Sequence, residues 1–597
     1  MSKVFRVLSP LIVVVVLAAA CTPAAAPTQA PAETSPTTAP EQPAAPTEAA
    51  PAAEAPTEAP APAAETEPVV INGQIGANDP RSIDPQRAVD TRDWGLVNQF
   101  FPSMAIQDLE TGELEPAMAE SWEVSDDGLV FTFHMMENVP WVRFNADTGQ
   151  VEEVKDDSGA TRYVTANDFV YGFMRALNPE TGSPAAYMLA PYIVGAAEYN
   201  AGTGAAEDVG LRAVDEYTFE VTAPEKVGFA LAIYSIINSK ATPQWEIEAS
   251  GDSWTEPETI NTYGPYALKG WEHEATMTLI KNPFWPGSEG IQQPKIDEIN
   301  LKFIDEVVGL RDFEAGSVDW TIVPGDQIAR LKADPALSEQ LAIVPGVCVQ
   351  AWNFNTTKPP FDNVHIRRAF NYSVDRNSLV DNVLTGGQTA AVFYTPPGVP
   401  GAPSATDAAK QVQLYNPEKA KEELALGLAD LGLTSVSELP AITLEFGNAA
   451  ELSAVGQTLQ AMWLENLGIQ VEIAQIDNTV YWSKQEEDGG QIHRGGWCPD
   501  YNDPNNYLRD VYRSDSIYNY GKWNNAEFDR LIDEARVETD PAKRLEMYTQ
   551  AETLLSVEDS ATMVLYYAGR PQLTRPGLQR TFSPAGTEYF WDWEVTE

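Results

Sequence analysis

The stretch Leu114-Glu115-Pro116-Ala117-Met118-Ala119-Glu120-Ser121-Trp122-Glu123-Val124, running on into Gly128-Leu129-Val130-Phe131-Thr132-Phe133-His134-Met135, decides how the rest of the chain is read. From Gly128 the apolar side chains alternate. Leu129, Phe131, Phe133 and Met135 therefore fall on one face of a β-strand, which predicts a sheet with one buried face. Working outward, residues 210–222, 277–280 and 441–446 also read as strands. Helices are clearest further on, where Phe528, Leu531, Ile532 and Ala535 recur at helical spacing. Asp540 and Pro541 then supply a cap and a first-turn proline for a second helix carrying Leu545, Tyr548, Ala551, Leu554 and Leu555. Strands and helices are interleaved, so the class is α/β with mixed sheets, and no fixed-period repeat of the solenoid or propeller kind is present.

The chain has 597 residues, room for about four domain-sized units. With 38 Lys+Arg against 87 Asp+Glu, the formal net charge is -49. That balance excludes nucleic acid as a natural partner, because affinity for phosphates is built from Lys and Arg. The 15 Trp and 22 Tyr point to a folded protein with a surface made to contact something. Only 3 Cys and 4 His occur, without CxxC or HExxH, so no metal site and no cofactor is expected.

Lys3 and Arg6 precede a mainly apolar run from Val7 to Leu17 and then Ala18-Ala19-Ala20-Cys21, the layout of a secretory signal. The run is shorter than the roughly 20 residues of a membrane span. A Cys after three small residues resembles the lipobox of bacterial lipoproteins, although Leu17 stands four residues before Cys21 rather than three. The resemblance implies that Cys21 is acylated and that the membrane is met only through this lipid. Residues 22–67 hold only Ala, Pro, Thr, Glu, Gln and Ser. They can build no core and read as an extended tether.

Four blocks resemble the oligopeptide-binding proteins of bacterial ABC importers, solute-binding protein family 5 of the peptide/nickel-binding type. They are Ser82-Ile83-Asp84-Pro85 with the 114–124 stretch; Asn167-Asp168-Phe169-Val170-Tyr171 with Arg175; Tyr263-Gly264-Pro265-Tyr266 with Trp271 and Lys281-Asn282-Pro283-Phe284-Trp285; and Asn353-Phe354-Asn355 with Pro359-Pro360-Phe361-Asp362-Asn363-Val364, Arg367-Arg368-Ala369 and Asp375-Arg376. Gly496-Trp497-Cys498-Pro499-Asp500-Tyr501-Asn502-Asp503-Pro504 looks like the family's cleft-bordering segment. The resemblance implies a two-lobed type II clamshell of the periplasmic-binding-protein kind, with mixed sheets and an extra inserted domain. Lobe I would comprise 68–101, 241–350 and 571–597, inserted domain II 102–240, and lobe III 351–570. Between Trp141 and Thr165 the chain is longer than the family pattern, and residues 142–163 read as an added, solvated hairpin.

By the same resemblance the ligand is an oligopeptide and the partner an ABC permease. The protein is expected to be a monomer, exported and anchored on the outer face of the cytoplasmic membrane. Asp500 matches the aspartate that pairs with a peptide's α-amino group. An opposite charge about 4 Å away is worth roughly 4 kcal/mol at an effective dielectric near 20, before desolvation. The other reading of Asp500 is a turn-former before Pro504. Trp497 and Tyr171 match aromatic walls, with core rings as the alternative, Cys498 lies between Trp497 and Asp500, and Arg494 matches an arginine able to meet a ligand carboxylate. The family's early glutamate falls on Val89, leaving Asp90 as the nearest carboxylate. A second family arginine falls on Gln485, within the acidic run Gln485-Glu486-Glu487-Asp488. With Cys21 acylated, Cys348 and Cys498 remain as an even pair at family positions in an oxidising compartment, and are expected to form a disulfide. The same fold can take an oligosaccharide or a nickel complex, and a secreted glycan hydrolase is the alternative from another class. For the latter no motif supplies an acid and a nucleophile: Ser250-Gly251-Asp252-Ser253 has no matching DxxH, and His134, His273, His365 and His493 lie far apart.

Overall fold

The computed structural model describes residues 67–88, 91–184, 186–406 and 414–596. The signal sequence, Cys21, nearly all of the tether and Asp90 lie outside the described residues. The chain opens with β1 (Val70–Gly76) and continues through β2 (Ala119–Val124), β3 (Val130–Met135), β4 (Val142–Asn145), β5 (Gln150–Glu153), helix α1 (Ala166–Leu177), β6 (Leu211–Ala213) and β7 (Thr218–Thr222). Next come β8 (Tyr266–Glu272), β9 (Thr276–Lys281), β10 (Glu298–Phe303), β11 (Trp320–Ile322) and the long β12 (Leu341–Phe354). The last part holds β13 (Ile442–Gly447), β14 (Val471–Ile476), α2 (Asn478–Asp488), β15 (Ile492–Arg494), α3 (Pro504–Tyr512), α4 (Ala526–Val537), α5 (Pro541–Thr553) and the long β16 (Thr562–Thr574).

Most of these strands join one eleven-stranded sheet, ordered β8-β9-β10-β1-β11-β16-β12-β15-β13-β14, with the short strand Thr389–Ala390 attached to β16. It is mixed: β1 runs parallel to β10 and β11, β13 runs parallel to β14 and β15, and β16 is antiparallel to β11 and β12. Strands from 70–322 thus occupy one half and strands from 442–494 the other. The two are joined through β16, which pairs with β11 on one side and along β12 on the other, while β12 in turn pairs with β15. The register of β12 on β16 breaks between Pro345 and Val349 and again at Gln350/Ala351. The boundaries expected at 350 and 570 fall inside these two strands.

The opening stretch forms β2 and β3 of a separate sheet ordered β2-β3-β7-β6. Phe131, Phe133 and Met135 are buried on one face, as the alternation requires. Residues 210–222 are two strands rather than one: the Asp215 carboxylate accepts from Tyr217 N at 3.0 Å, and Val214 N donates to Thr218 O at 2.8 Å, closing a turn inside the apolar run. The 142–163 insertion does contain the β4-β5 hairpin. It is not wholly solvated, because Val142 and Val151 pack on Ala267 with Phe144 and Ile280 alongside, and Val142 exchanges backbone hydrogen bonds with Thr262. On α4 the four apolar residues are buried, and Asp540 caps α5 by accepting from Ala542 N and Lys543 N.

Candidate functional site

The break in β12 is where the site is built. Val349 and Trp497 exchange backbone hydrogen bonds at 2.8 and 3.0 Å, and Gly495 N donates to Ala351 O at 2.7 Å. The segment after β15 is thereby zipped onto the crossover strand. Gly496 permits this: its φ is +120°, and a Cβ there would lie 2.6 Å from Val349 O. Cys348, in the irregular part of β12, is disulfide-bonded to Cys498 across 150 residues of sequence.

Behind this segment stands Asn506, fully buried in the first turn of α3. Its Oδ1 accepts from the Trp497 indole Nε1 and from Asp500 N, both at 2.9 Å. Its Nδ2 donates to Asp500 Oδ2 at 3.3 Å and to Asp510 Oδ2 at 3.1 Å. One amide therefore fixes the ring, the backbone and the carboxylate of the 497–500 turn. Burial pushes the Asp500 carboxyl above the usual carboxylate range, partly offset by hydrogen bonds from Tyr187 and Asn506. Asp510 is raised for the same cause, and the neighbouring Asp500 charge adds to it. Asp500 has no cation within ion-pair distance among the described residues. Tyr187 comes from the 102–240 segment, as do Phe229, stacked on Tyr501 at 5.4 Å, and Glu225, paired with Arg536 at 2.7 Å.

In front lies a cavity of about 420 Å³ lined by Gln350, Arg494, Trp497, Cys498, Tyr394 and an outer wall of aromatic rings. Arg494 donates to Gln350 Oε1 at 3.0 Å and lies 5.5 Å over the Trp482 ring. Tyr394 is held from behind: the fully buried Glu552 carboxylate accepts from Tyr394 N at 2.6 Å and Thr395 N at 2.7 Å, and burial raises its pKa to about 7. A fixed carboxylate, a strand-like edge and flat apolar walls suit an extended chain with a cationic end.

The family model described as bacterial extracellular solute-binding proteins, family 5 middle, matches residues 113–519. The chain is 32% identical to the oligopeptide-binding protein OppA of Bacillus subtilis, over 82% of this chain and 86% of that protein. It is 30% identical to the periplasmic oligopeptide-binding protein OppA of Salmonella typhimurium, over 83% and 87%. This chain belongs to family 5. A solved structure of Haemophilus influenzae OppA in complex with RPPGFSPFR is 25% identical, with a TM-score of 0.67, covering 89% of this chain and all of the other. The family's type II clamshell is the fold of this chain.

In this family 5 protein, Arg494, Trp497 and Cys498 line the cavity, and Asp500 sits half-buried just behind its wall. Tyr171 is not brought there. On α1 it stands one turn before Arg175, beside Glu248 and the buried Asp84–Arg175 ion pair at 2.6 Å, because helical spacing aims both side chains the same way. Asp90 lies outside the described residues. Sequence reasoning missed Asn506 and Asp510, yet Asp503-Pro504 announces α3, and residues four apart share its face. It also missed Tyr187, which only the fold brings near, and the outer rings Trp482, Tyr518 and Tyr520.

Proposed function

We propose that this protein is a non-catalytic, extracytoplasmic receptor that captures oligopeptides between its lobes and delivers them to an ABC importer. The observation that carries this is the Asp500 carboxylate: raised by burial and without a cationic partner among the described residues, it is pinned beside an aromatic cavity and suited to a peptide ammonium. Cys498, Trp497 and Arg494 border the bound chain, with the ligand's backbone satisfied at the strand edge. Lobes I and III close about β12 and β16, and ligand contacts to both favour the closed state. Acylation of Cys21 and the 22–67 tether hold this monomer at the outer face of the cytoplasmic membrane. Mass spectrometry of molecules released on denaturing the purified protein tests the reading. Short peptides are expected; a series of sugars would overturn it.

A further inference from the structure

Trp482 and Glu486 are four residues apart on α2, so both face the cavity, where Tyr518 and Tyr520 complete the outer wall. Trp482 is 41% exposed, unusual for so large a ring. It lies 6.2 Å from Tyr520, which is 6.4 Å from Tyr518, which is 5.0 Å from Trp497, giving a row of tilted rings along the cavity. Two lysines near Glu486 are already paired elsewhere: Lys484 with Glu445 at 2.8 Å and Lys358 with Asp488 at 2.7 Å. Glu486 itself has no cation within ion-pair distance among the described residues. Arg494, also on the cavity lining, is engaged by Gln350 and by the Trp482 ring, and no ion pair joins it to Glu486 among the described residues.

We propose that Trp482, Glu486, Tyr518 and Tyr520 form a subsite for a basic side chain of the ligand, lysine or arginine. This deepens the peptide reading above and rests on it. A long aliphatic stem would lie along the rings while its charged head meets the Glu486 carboxylate and the faces of the tyrosines. An uncharged stem of equal length would gain the ring contacts but leave the carboxylate facing it unpaired. An acidic side chain would be repelled. The Glu486 charge is felt at both phenols, where it adds to burial in raising their pKa values, that of Tyr520 to about 12. This places the carboxylate within electrostatic reach of both rings.

The test is calorimetric titration of the whole protein with alanine pentapeptides carrying either lysine or norleucine at each position in turn. At one position lysine should bind about five-fold more tightly than norleucine, the size of an exposed charge pair plus a cation–ring contact. In Glu486→Gln, an exposed and shape-conserving change, that ratio should fall toward one. A ratio near one at every position, or one that Glu486→Gln does not alter, overturns the subsite while norleucine peptides still bind. If no pentapeptide binds the unaltered protein, the peptide reading falls and the subsite with it.

Discussion

The cavity has two walls built in opposite ways. The inner wall, Gly495 to Asp500, is held by backbone pairing to β12, by a disulfide and by the Asn506 amide, so its groups stand in place before any ligand arrives. The outer wall rests on one face of α2, tied through the Lys484–Glu445 and Lys358–Asp488 ion pairs and the Tyr481 hydroxyl on Arg494 O, and on the 518–520 loop, held by the buried Asn519; on it Trp482 stays exposed and Glu486 has no cation within ion-pair distance among the described residues. The difference separates two tasks. A preordered wall loses little entropy on binding and suits the features every peptide shares, whereas a wall with an exposed ring and an open charge suits what distinguishes one peptide from another.

The largest effect that would break this contrast is on the inner wall's covalent tie. Replacing Cys348 and Cys498 by serine should lower stability by about 5 kcal/mol, the chain-entropy value for a loop of this length. Denaturant unfolding without reductant reads it, and an unchanged midpoint would remove the disulfide from the account. Next comes Asp500→Asn, expected to cost peptides with a free amino group about 3 kcal/mol of binding and N-acetylated peptides much less. Its pH signature has a fixed sign. Burial raises the Asp500 carboxyl in the empty site, so an arriving ammonium favours ionisation and binding releases a proton. Affinity in the unaltered protein should therefore rise with pH through that raised pKa, and in Asp500→Asn it should be flat there. Equal losses for free and acetylated peptides would show that Asp500 does not hold the amine. Asn506→Leu should follow at about 2 kcal/mol of stability, because it strands the Trp497 indole and Asp500 N. Trp482→Leu on the outer wall should change stability by less than about 1 kcal/mol, since two-fifths of the residue is already exposed. A loss as large as that of Asn506→Leu would erase the contrast.

Much of this is legible in the sequence alone. Alternation in 128–135 gave β3 and its buried face, Asp540-Pro541 gave the start of α5, and the Trp497 to Pro504 stretch marked the inner wall. What stayed hidden was set by contacts far apart in sequence. Tyr187 meets Asp500 across more than 300 residues, and no local pattern foretells it. The 210–222 run reads as one strand because its apolar residues alternate on both sides of Asp215; the side-chain turn there is the stronger signal. Tyr171 carried a motif but not an orientation, and only the register of α1 against Asp84 and Arg175 fixes where its ring goes.

The two long central strands of the large sheet also set an order of assembly. β11 finds its second neighbour only in β16, and Trp320 is packed against Trp593 at 5.7 Å, so the half of the sheet built from the earliest residues is finished by some of the latest. During synthesis, about 250 residues must follow Trp320 before its strand edge is covered. Such distant pairing makes folding slow and leaves an open strand edge on the unfinished chain. Folding therefore cannot proceed lobe by lobe as the chain emerges, and a chain stopped before Thr562 would leave both halves of the sheet without their shared strand.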